Sequence, residues 1–436
     1  MSELVTLRAG VYHDSVTLMR ISRALTELPG VEVAIVAMAT ELNRALAADL
    51  GFTLPPADQA DLLVAVRGPD LSGAEAELDR LLAARPTAGA DPGEQPPLTT
   101  RSAARQGGDI VLVSVPGEHA FAEAVDAIEA GLPVMVFSDG VPVEQEIALK
   151  ELAERKGVLV MGPDCGTAVI AGAGLGFANV LRPGPVGVVA ASGTGAQQLT
   201  CLLDLAGVGV SHVLGVGGRD LTPEVGGRSA ARALRMLEED PATELIALVA
   251  KQPSVRLPEP GKRFVRAGTD LTEAAEDVLR ALGRAVPEWP SWPGWSGRAG
   301  GASSGTLRGL YAGGTLCGEA AALAGTGEFT DYGDDAYTRG RPHPMIDPTL
   351  RLEALARAAA GDVVLMDVVL GHGADPDPAA AYAHGIARCP ATVVVALVGT
   401  EGDPQDLHRQ AAALREAGAS VFTSNAQAAR YARSLL

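Results

Sequence analysis

Residues Gly187–Leu199 read GVVAASGTGAQQL, and a second stretch, Gly309–Ala321, reads GLYAGGTLCGEAA. Both stretches pass from apolar residues through small residues and glycine to a threonine, and both continue with helical spacing. Each is therefore predicted to form a buried strand, a tight turn and the first turns of a helix. Because the two stretches lie about 120 residues apart, they indicate two similar α/β domains.

The rest of the chain repeats short apolar runs, each followed by glycine or proline and then by helical spacing. Near-continuous apolar runs are typical of parallel strands that helices cover on both faces. The sequence thus predicts an α/β fold. The predicted strands are Val31–Met38, Leu62–Val66, Ile110–Val115, Val134–Phe137, Val158–Met161, Val186–Ala191, His212–Val216, Leu245–Val249, Arg308–Tyr311, Val363–Val369 and Thr392–Val398.

Two stretches break this rhythm. Residues 86–108 are polar and rich in proline, so they are predicted to be a surface loop or a disordered insertion. Residues 286–305 contain all three tryptophans among prolines and glycines, which indicates a linker whose rings pack on a neighbouring domain.

The composition excludes several classes of function. Among the 436 residues, 53 acidic side chains outnumber 35 basic ones, and the net charge of −18 has the wrong sign for nucleic-acid binding. The four cysteines form no CxxC pair and no zinc-type spacing, so a bound metal is not expected. The N-terminus lacks the pattern of a signal peptide, and no apolar run is long enough to span a bilayer. We therefore expect a cytoplasmic protein with no membrane partner.

The two repeated turns are the strongest candidates for a site. Exposed N–H groups at a helix start attract anions without any lysine, so each turn is predicted to bind a phosphate or a carboxylate. The alternative is a capped turn in which glycine only supplies the backbone conformation. The candidate phosphate-binding residues are Ser192, Gly193, Thr194, Gly195, Gly313, Gly314 and Thr315.

Other candidates lie in loops. His372, in a Gly-His-Gly loop, and His343, in a proline-rich loop, could transfer a proton or a phosphoryl group, and Arg341 could bind an anion. The rigid segment around Arg341 and His343 is predicted to line the active cleft. Cys165 is predicted to be a small buried thiol rather than a nucleophile. The turn after the strand at His212–Val216 supplies candidate substrate-binding residues, namely Gly217, Gly218, Arg219 and Asp220.

These segments resemble a known family. Val115–Val169, with its turn Gly-Pro-Asp-Cys-Gly, resembles the CoA-binding domain of succinyl-CoA synthetase α subunits, and Gly333–Arg351, GDDAYTRGRPHPMIDPTLR, is similar to FdrA proteins. The resemblance implies a Rossmann-like CoA-binding-type domain followed by two flavodoxin-like ligase domains. The implied boundaries are residues 1–180 for the first domain, 181–285 for the first ligase domain, 286–305 for the linker and 306–436 for the second ligase domain.

The sequence departs from the synthetases in two respects. The α subunits carry a phosphohistidine after the strand that corresponds to Leu245–Val249, where this chain has Ala-Lys-Gln-Pro, and no ATP-grasp domain separates the two ligase domains. The resemblance to FdrA proteins therefore implies a carbamoyl or acyl phosphate substrate and an oxamate-type carbamoyltransferase in purine (allantoin) breakdown, with partner subunits or as a homo-oligomer. One alternative is an acyl-CoA synthetase component that uses CoA and ADP, with His372 as phosphoryl acceptor. The other is a non-catalytic metabolite-binding scaffold.

Overall fold

The computed structural model describes residues 2–9, 11, 13, 15–83, 97, 99–250, 255–294, 305–339 and 341–436. The chain divides into two compact units. The N-terminal unit comprises Met1–Leu98 together with Asp335–Asp347, and the larger unit comprises Thr99–Asp334 and Pro348–Leu436. Within the described residues, none of the helices combines the length and the apolar character needed to cross a membrane.

The N-terminal unit contains a three-stranded antiparallel sheet with the strand order β1-β3-β2. Leu18 and Leu25 of the first helix and Leu78 of the third pack on one face, and Ala47 and Phe52 pack on the other. Both faces of the strands are therefore buried, which explains why their sequences resemble those of parallel strands. The elements are β1 (Ser2–Arg8), α1 (Ser15–Thr26), β2 (Val33–Met38), α2 (Glu41–Asp49), β3 (Leu62–Gly68) and α3 (Ala74–Ala83).

A separate three-stranded parallel sheet, β4-β5-β6, opens the larger unit. The prediction of one Rossmann-like domain over residues 1–180 is therefore wrong, because no strand joins this sheet to the antiparallel one within the described residues. In the loop predicted over residues 86–108, residues 86–96 and 98 lie outside the described chain, whereas Thr99 caps a short helix inside it. The elements are α4 (Thr100–Ala104), β4 (Val111–Val113), α5 (Gly117–Glu129), β5 (Val134–Val136), α6 (Val143–Lys156) and β6 (Val160–Met161).

The sheet of the predicted first ligase domain has the strand order β12-β11-β9-β10-β7-β8. Its four strands from β9 to β12 are parallel, and a hairpin adds β7 and β8 in antiparallel pairing at one edge. The sheet thus begins at Thr167, before the predicted boundary at residue 181. The elements are β7 (Thr167–Ile170), β8 (Ala173–Gly176), β9 (Pro183–Ala190), α7 (Gly193–Leu205), β10 (Val210–Gly215), α8 (Arg228–Glu239), β11 (Leu245–Val249), β12 (Arg263–Arg266) and α9 (Leu271–Ala281).

The sheet of the predicted second ligase domain has a similar plan, with the order β13-β18-β17-β16-β14-β15. All of its strands are parallel except β13, which pairs antiparallel with β18. The elements are β13 (Ser291–Trp292), β14 (Leu307–Tyr311), α10 (Gly314–Ala324), β15 (Glu328–Asp331), α11 (Asp335–Thr338), α12 (Thr349–Ala356), β16 (Val363–Val369), α13 (Pro378–Arg388), β17 (Thr392–Val398), α14 (Leu407–Glu416), β18 (Ser420–Phe422) and α15 (Asn425–Ser434).

The tryptophan-rich stretch connects the two ligase domains through its rings. Trp289 is buried and its indole N–H donates to Glu276 of α9 at 3.3 Å. Trp292 lies in β13 and meets the His408 ring edge-on at 5.9 Å between ring centroids. Each described ring thus packs on a different ligase domain, whereas residues 295–304 lie outside the described chain.

The segment Asp335–Asp347 interrupts the second ligase domain and belongs to the N-terminal unit. Met345 and Ile346 are buried, and the guanidinium of Arg23 in α1 donates to the carbonyl of Ile346. The second ligase domain predicted over residues 306–436 thus contains a segment that this division of the chain assigns to the N-terminal unit.

Candidate functional site: two helix starts that meet

The turn Ser192–Gly195 joins β9 to α7. Ser192 is the N-cap residue in an extended conformation, and its hydroxyl accepts the N–H of Gly195 at 3.0 Å. The N–H groups of Gly193 and Thr194 have no acceptor within the described residues. The helix start is therefore capped and still has free N–H donors, because the single Ser192 hydroxyl satisfies only one of the N–H groups that a helix start exposes.

The second turn leaves its helix uncapped. Gly313 is the N-cap of α10, and it has no side chain to accept a hydrogen bond. The N–H groups of Gly314, Thr315 and Leu316 therefore remain available in the part of the chain that the structure describes. Together with the helix dipole, such free donors favour an anion at this position.

The two helix starts lie against each other. A Cβ atom built on Gly313 would lie 2.4 Å from Cγ2 of Thr194, and one built on Gly195 would lie 3.0 Å from Cγ2 of Thr315. The structure thus brings all seven predicted phosphate-binding residues to one place. Glycine at 313 is required there because no side chain fits between the two turns.

Two carboxylates flank the start of α10. A Cβ atom on Gly314 would lie 2.6 Å from Oδ2 of Asp331, and Oδ1 of Asp367 accepts the N–H of Ala312 at 2.8 Å. Burial raises the pKa of Asp367 to about 6, although Arg351, 2.9 Å away, opposes this shift. The site therefore combines free N–H donors with nearby acids.

The four predicted substrate-binding residues in the turn after β10 differ in their exposure. Gly218 and Arg219 are exposed, whereas Gly217 is buried with φ +86°, and a Cβ there would lie 2.4 Å from the carbonyl of Pro163. Asp220 is completely buried, and its carboxylate accepts the N–H groups of Ser229 and Ala230 and the ammonium of Lys150. The prediction that Asp220 binds substrate is wrong for this geometry, because its oxygens are already used internally.

Cys165 is buried, as are Cys201, Cys317 and Cys389. Burial raises the pKa of the Cys165 thiol to about 12, and its sulfur lies 3.5 Å from the carbonyl of Gly215. A thiolate is therefore not available there near neutral pH. This environment agrees with the prediction of a small buried thiol.

Arg341 and His343 lie in the segment that packs within the N-terminal unit. Arg341 is exposed, and its N–H donates to Thr338, whereas Nδ1 of His343 accepts the N–H of Met345 at 3.3 Å. Their placement along the active cleft stays a prediction.

His372 lies between the ligase domains. Its backbone pairs with Ala178, through N–H···O distances of 2.8 and 3.2 Å, while its side chain is exposed. The flanking Gly371 and Gly373 pack on Ala178 and Phe177. The backbone of this loop therefore joins the two domains, and the imidazole of His372 takes no part in the contact.

We expect no phosphohistidine at His372, because its loop belongs to the second ligase domain, whereas the synthetases carry the modified histidine in the first. Incubation with radioactive ATP should give no label that is lost in acid and stable in base. A label of this kind that disappears in His372→Ala would contradict the prediction and would favour autophosphorylation by a synthetase-type mechanism.

Glu319 of α10 provides a pH-sensitive contact between the ligase domains. It accepts the N–H of Leu271 at 2.6 Å and the amide of Asn425 at 2.7 Å, and burial raises its pKa from 4.5 to about 7. The folded state therefore binds the proton of the Glu319 carboxyl more tightly than the unfolded state does. The contribution of this proton to the stability of the fold is complete below about pH 4.5 and is lost as the pH rises through about 7. Asp367 shifts in the same direction.

The melting temperature of the larger unit is therefore expected to fall between about pH 5 and pH 8, and Glu319→Gln should flatten this dependence. Differential scanning calorimetry over this range provides the measurement. Glu273→Gln, which changes an exposed residue of α9, serves as the control and should keep the wild-type slope. An unchanged slope in Glu319→Gln would show that this carboxyl does not titrate as described.

Comparison with known proteins identifies two regions. Residues 1–97 match the family described as AllF, heavy metal-associated domain, and residues 310–435 match the family described as CoA-ligase. Residues 1–97 contain no cysteine and one histidine, His13, so they do not fit a thiolate site for a soft metal ion. Among the described residues of the whole chain, no three His, Cys, Asp or Glu side chains are grouped to hold a metal.

The chain is 34% identical to the protein YahF of Escherichia coli (strain K12) over 512 residues, which cover 100% of this chain and 99% of YahF. It is 32% identical over 213 residues to the succinate–CoA ligase [ADP-forming] subunit alpha 1 of Archaeoglobus fulgidus, covering 41% of this chain and 72% of that subunit. A malate–CoA ligase subunit alpha of Methylorubrum extorquens is 28% identical over 135 residues, 29% of this chain and 44% of that subunit.

Among solved structures, a dinucleotide-forming acetyl-coenzyme A synthetase 1 of Ca. Korarchaeum cryptofilum, in complex with phosphate and ADP, is 16% identical with a TM-score of 0.32. That similarity covers 80% of this chain and 87% of the other.

Proposed function

Because this chain belongs to the same family as YahF of Escherichia coli and contains a CoA-ligase domain, we propose that it is the acyl-transfer component of an acyl-CoA-ligase-type enzyme. Its substrate in this proposal is an acyl phosphate. The observation that carries the proposal is the contact between the two helix starts at Thr194 and Gly313.

The free donors of both turns support the binding of a phosphate. The N–H groups of Gly193 and Thr194 come from one ligase domain, and those of Gly314 and Thr315 come from the other. A phosphate held by both sets would place the acyl carbon beside the junction of the domains. Backbone donors of this kind are fixed before the ligand arrives, so they stabilise charge without reorganisation.

The reaction follows from this arrangement. A nucleophile, either the thiolate of CoA or an amine, attacks the carbonyl carbon of the acyl phosphate. The new C–S or C–N bond forms, the bond from carbon to the phosphate oxygen breaks, and inorganic phosphate leaves with the electron pair. When the nucleophile is an amine, its nitrogen also loses a proton, which the leaving phosphate takes up. Negative charge grows on the leaving phosphate, which the helix starts of α7 and α10 stabilise.

The sequence after β11 favours an acyl phosphate as the incoming substrate. Where synthetase α subunits carry a phosphohistidine, this chain has Ala250, Lys251, Gln252 and Pro253, and a histidine at this point is absent. Phosphoryl transfer from ATP would then need another acceptor or a partner subunit, and we propose that the chain works with partner subunits or as a homo-oligomer.

The proposal has two versions. In one, the acyl group is transferred to CoA; in the other, the substrate is carbamoyl phosphate. The similarity to succinate–CoA and malate–CoA ligase α subunits favours CoA as acceptor. The parallel sheet β4-β5-β6 corresponds to only part of a CoA-binding domain, because residues 2–68 form a different, antiparallel sheet. Carbamoyl transfer would use the same phosphate site, but the relatives described above give it no support.

The assay that tests the proposal offers the purified chain an acyl phosphate with CoA, carbamoyl phosphate with an amide acceptor, or ATP with CoA and a carboxylate. Released phosphate and the product are followed in each case. Acyl-CoA formation from the acyl phosphate and CoA supports the proposal. Failure of all three mixtures, alone and with candidate partner chains, would favour the non-catalytic scaffold.

Gly193→Val is expected to abolish binding of inorganic phosphate while the fold persists. Its Cβ would lie 3.1 Å from Oγ1 of Thr167, so that hydroxyl or the turn must give way, and we expect the branched side chain to displace the free N–H groups. Isothermal titration calorimetry measures the affinity, and Gly318→Ala, on the open face of α10, is the control because nothing lies within 4 Å of its Cβ. Wild-type affinity in Gly193→Val would show that the turn does not bind the anion.

A further inference from the structure

Arg351 of α12 binds two strands, β14 and β16, of which β14 leads into the start of α10. Its side chain is only 2% exposed. The guanidinium donates to the carbonyl of Leu310 at 2.9 Å and to the carbonyl of Asp367, and it lies 5.2 Å from the centre of the Tyr382 ring. The residue is thus fixed between β14 and β16.

Asp367 connects Arg351 to the turn. Its Oδ1 lies 2.9 Å from the guanidinium and accepts the N–H of Ala312 at 2.8 Å. Ala312 directly precedes Gly313, the N-cap of α10. The position of the turn therefore depends on a carboxylate that Arg351 holds in place.

Stability alone does not account for this pair. Oδ2 of Asp367 and Nε of Arg351 are buried without a hydrogen-bond partner among the described residues. A buried ion pair with unsatisfied atoms is often no more stable than apolar residues of the same volume. The pair nevertheless fixes one backbone N–H, that of Ala312, which is an effect on geometry.

We propose that Arg351 and Asp367 are positioning residues of the phosphate site, which hold Ala312 so that the N–H groups of Gly314 and Thr315 point at the phosphate. The inference rests on the proposed function. Neither residue touches the phosphate itself. Their effect reaches it through the backbone of the turn.

The test begins without ligand. Amide hydrogen exchange of peptides that cover residues 307–316 is compared between the wild type, Arg351→Met and the control Arg357→Ala, an exposed arginine of the same helix region. Exchange in this stretch is expected to become at least about tenfold faster in Arg351→Met only. Calorimetry then measures the affinity for inorganic phosphate, which is expected to weaken about tenfold in the same variant.

The double variant Arg351→Met with Asp367→Leu separates positioning from stability. It removes both charges, so its melting temperature is expected to recover while its exchange stays fast and its phosphate affinity stays low. It also replaces the single variant if that one fails to fold. Recovery of stability and affinity together would overturn the proposal, because it would show a purely structural role.

The remaining outcomes are equally decisive. Unchanged exchange at residues 307–316 overturns the inference whatever the affinity shows, and fast exchange with wild-type affinity does so as well. If the wild-type chain binds no inorganic phosphate, the proposed function fails and the binding role of Arg351 fails with it. The exchange data alone would then still show whether Arg351 holds the turn.

Discussion

Lys150→Met is expected to lower the free energy of unfolding of the larger unit by about 3–5 kcal/mol. Lys150 is 1% exposed, and its ammonium donates to Glu146 at 2.7 Å, to Asp220 at 2.8 Å and to the carbonyl of Val216 at 3.1 Å. Methionine fills a similar volume but leaves two buried carboxylates without their shared cation. Chemical denaturation monitored by circular dichroism measures the loss.

The control for Lys150 is another lysine of the same helix. Lys156 pairs with Glu129 at 2.6 Å, but its side chain is 39% exposed. Exposed pairs contribute about 0–1 kcal/mol, so Lys156→Met should unfold almost like the wild type. Adding Glu146→Gln to Lys150→Met should restore part of the loss, because it removes a buried carboxylate whose remaining cation, Arg219 at 2.9 Å, is 45% exposed. Equal effects of the two lysines would contradict the description of a buried ion network.

Gly313→Ala is expected to separate the two helix starts. Overpacking should lower the free energy of unfolding by about 1–3 kcal/mol, and phosphate binding should become undetectable. The new Cβ would lie 2.4 Å from both Cγ2 and Oγ1 of Thr194. The backbone itself permits alanine, since φ at Gly313 is −145°. The effect thus arises from contact between two domains and not from backbone strain. Thermal denaturation measures the loss of stability, and calorimetry measures the loss of phosphate binding.

The matched control is Gly318→Ala, four residues into the same helix. Nothing lies within 4 Å of its Cβ, so the variant should be more stable by up to about 1 kcal/mol, the usual gain of alanine over glycine in a helix. Thr194→Gly should rescue Gly313→Ala by making room. If Gly313→Ala kept wild-type stability and affinity, the two turns would not meet as described.

Local sequence predicted the strands of the larger unit closely. Buried runs such as Val363–Val369 and Thr392–Val398 were predicted with their observed ends, because an apolar run followed by glycine or proline is a local property. Several short strands were missed, although the equally short β4, β5 and β6 were predicted. β7, β8 and β18 have three or four residues each, and pairing with their neighbours, rather than their own composition, makes them strands.

The N-terminal unit shows where local patterns fail. Strands β2 and β3 were predicted, but as parallel strands of a Rossmann-like domain, whereas they pair antiparallel. Burial on both faces produces the same apolar run in either direction, so the sequence does not contain the pairing direction. In the same way, the buried Met345 and Ile346 gave no local sign that their segment packs within this unit.

By itself the sequence determined the α/β class, the repeated turn and the residue types at both helix starts, because these depend on hydrophobic periodicity and on the conformational freedom of glycine. Only the tertiary structure decided that Thr194 contacts Gly313, that Asp220 pairs with Lys150, and that Arg351 pairs with Asp367. These contacts join residues 16 to 119 positions apart. Distances between such residues are set by how the sheets pack, and side chains distant in the chain carry no local signal of the partner they will meet.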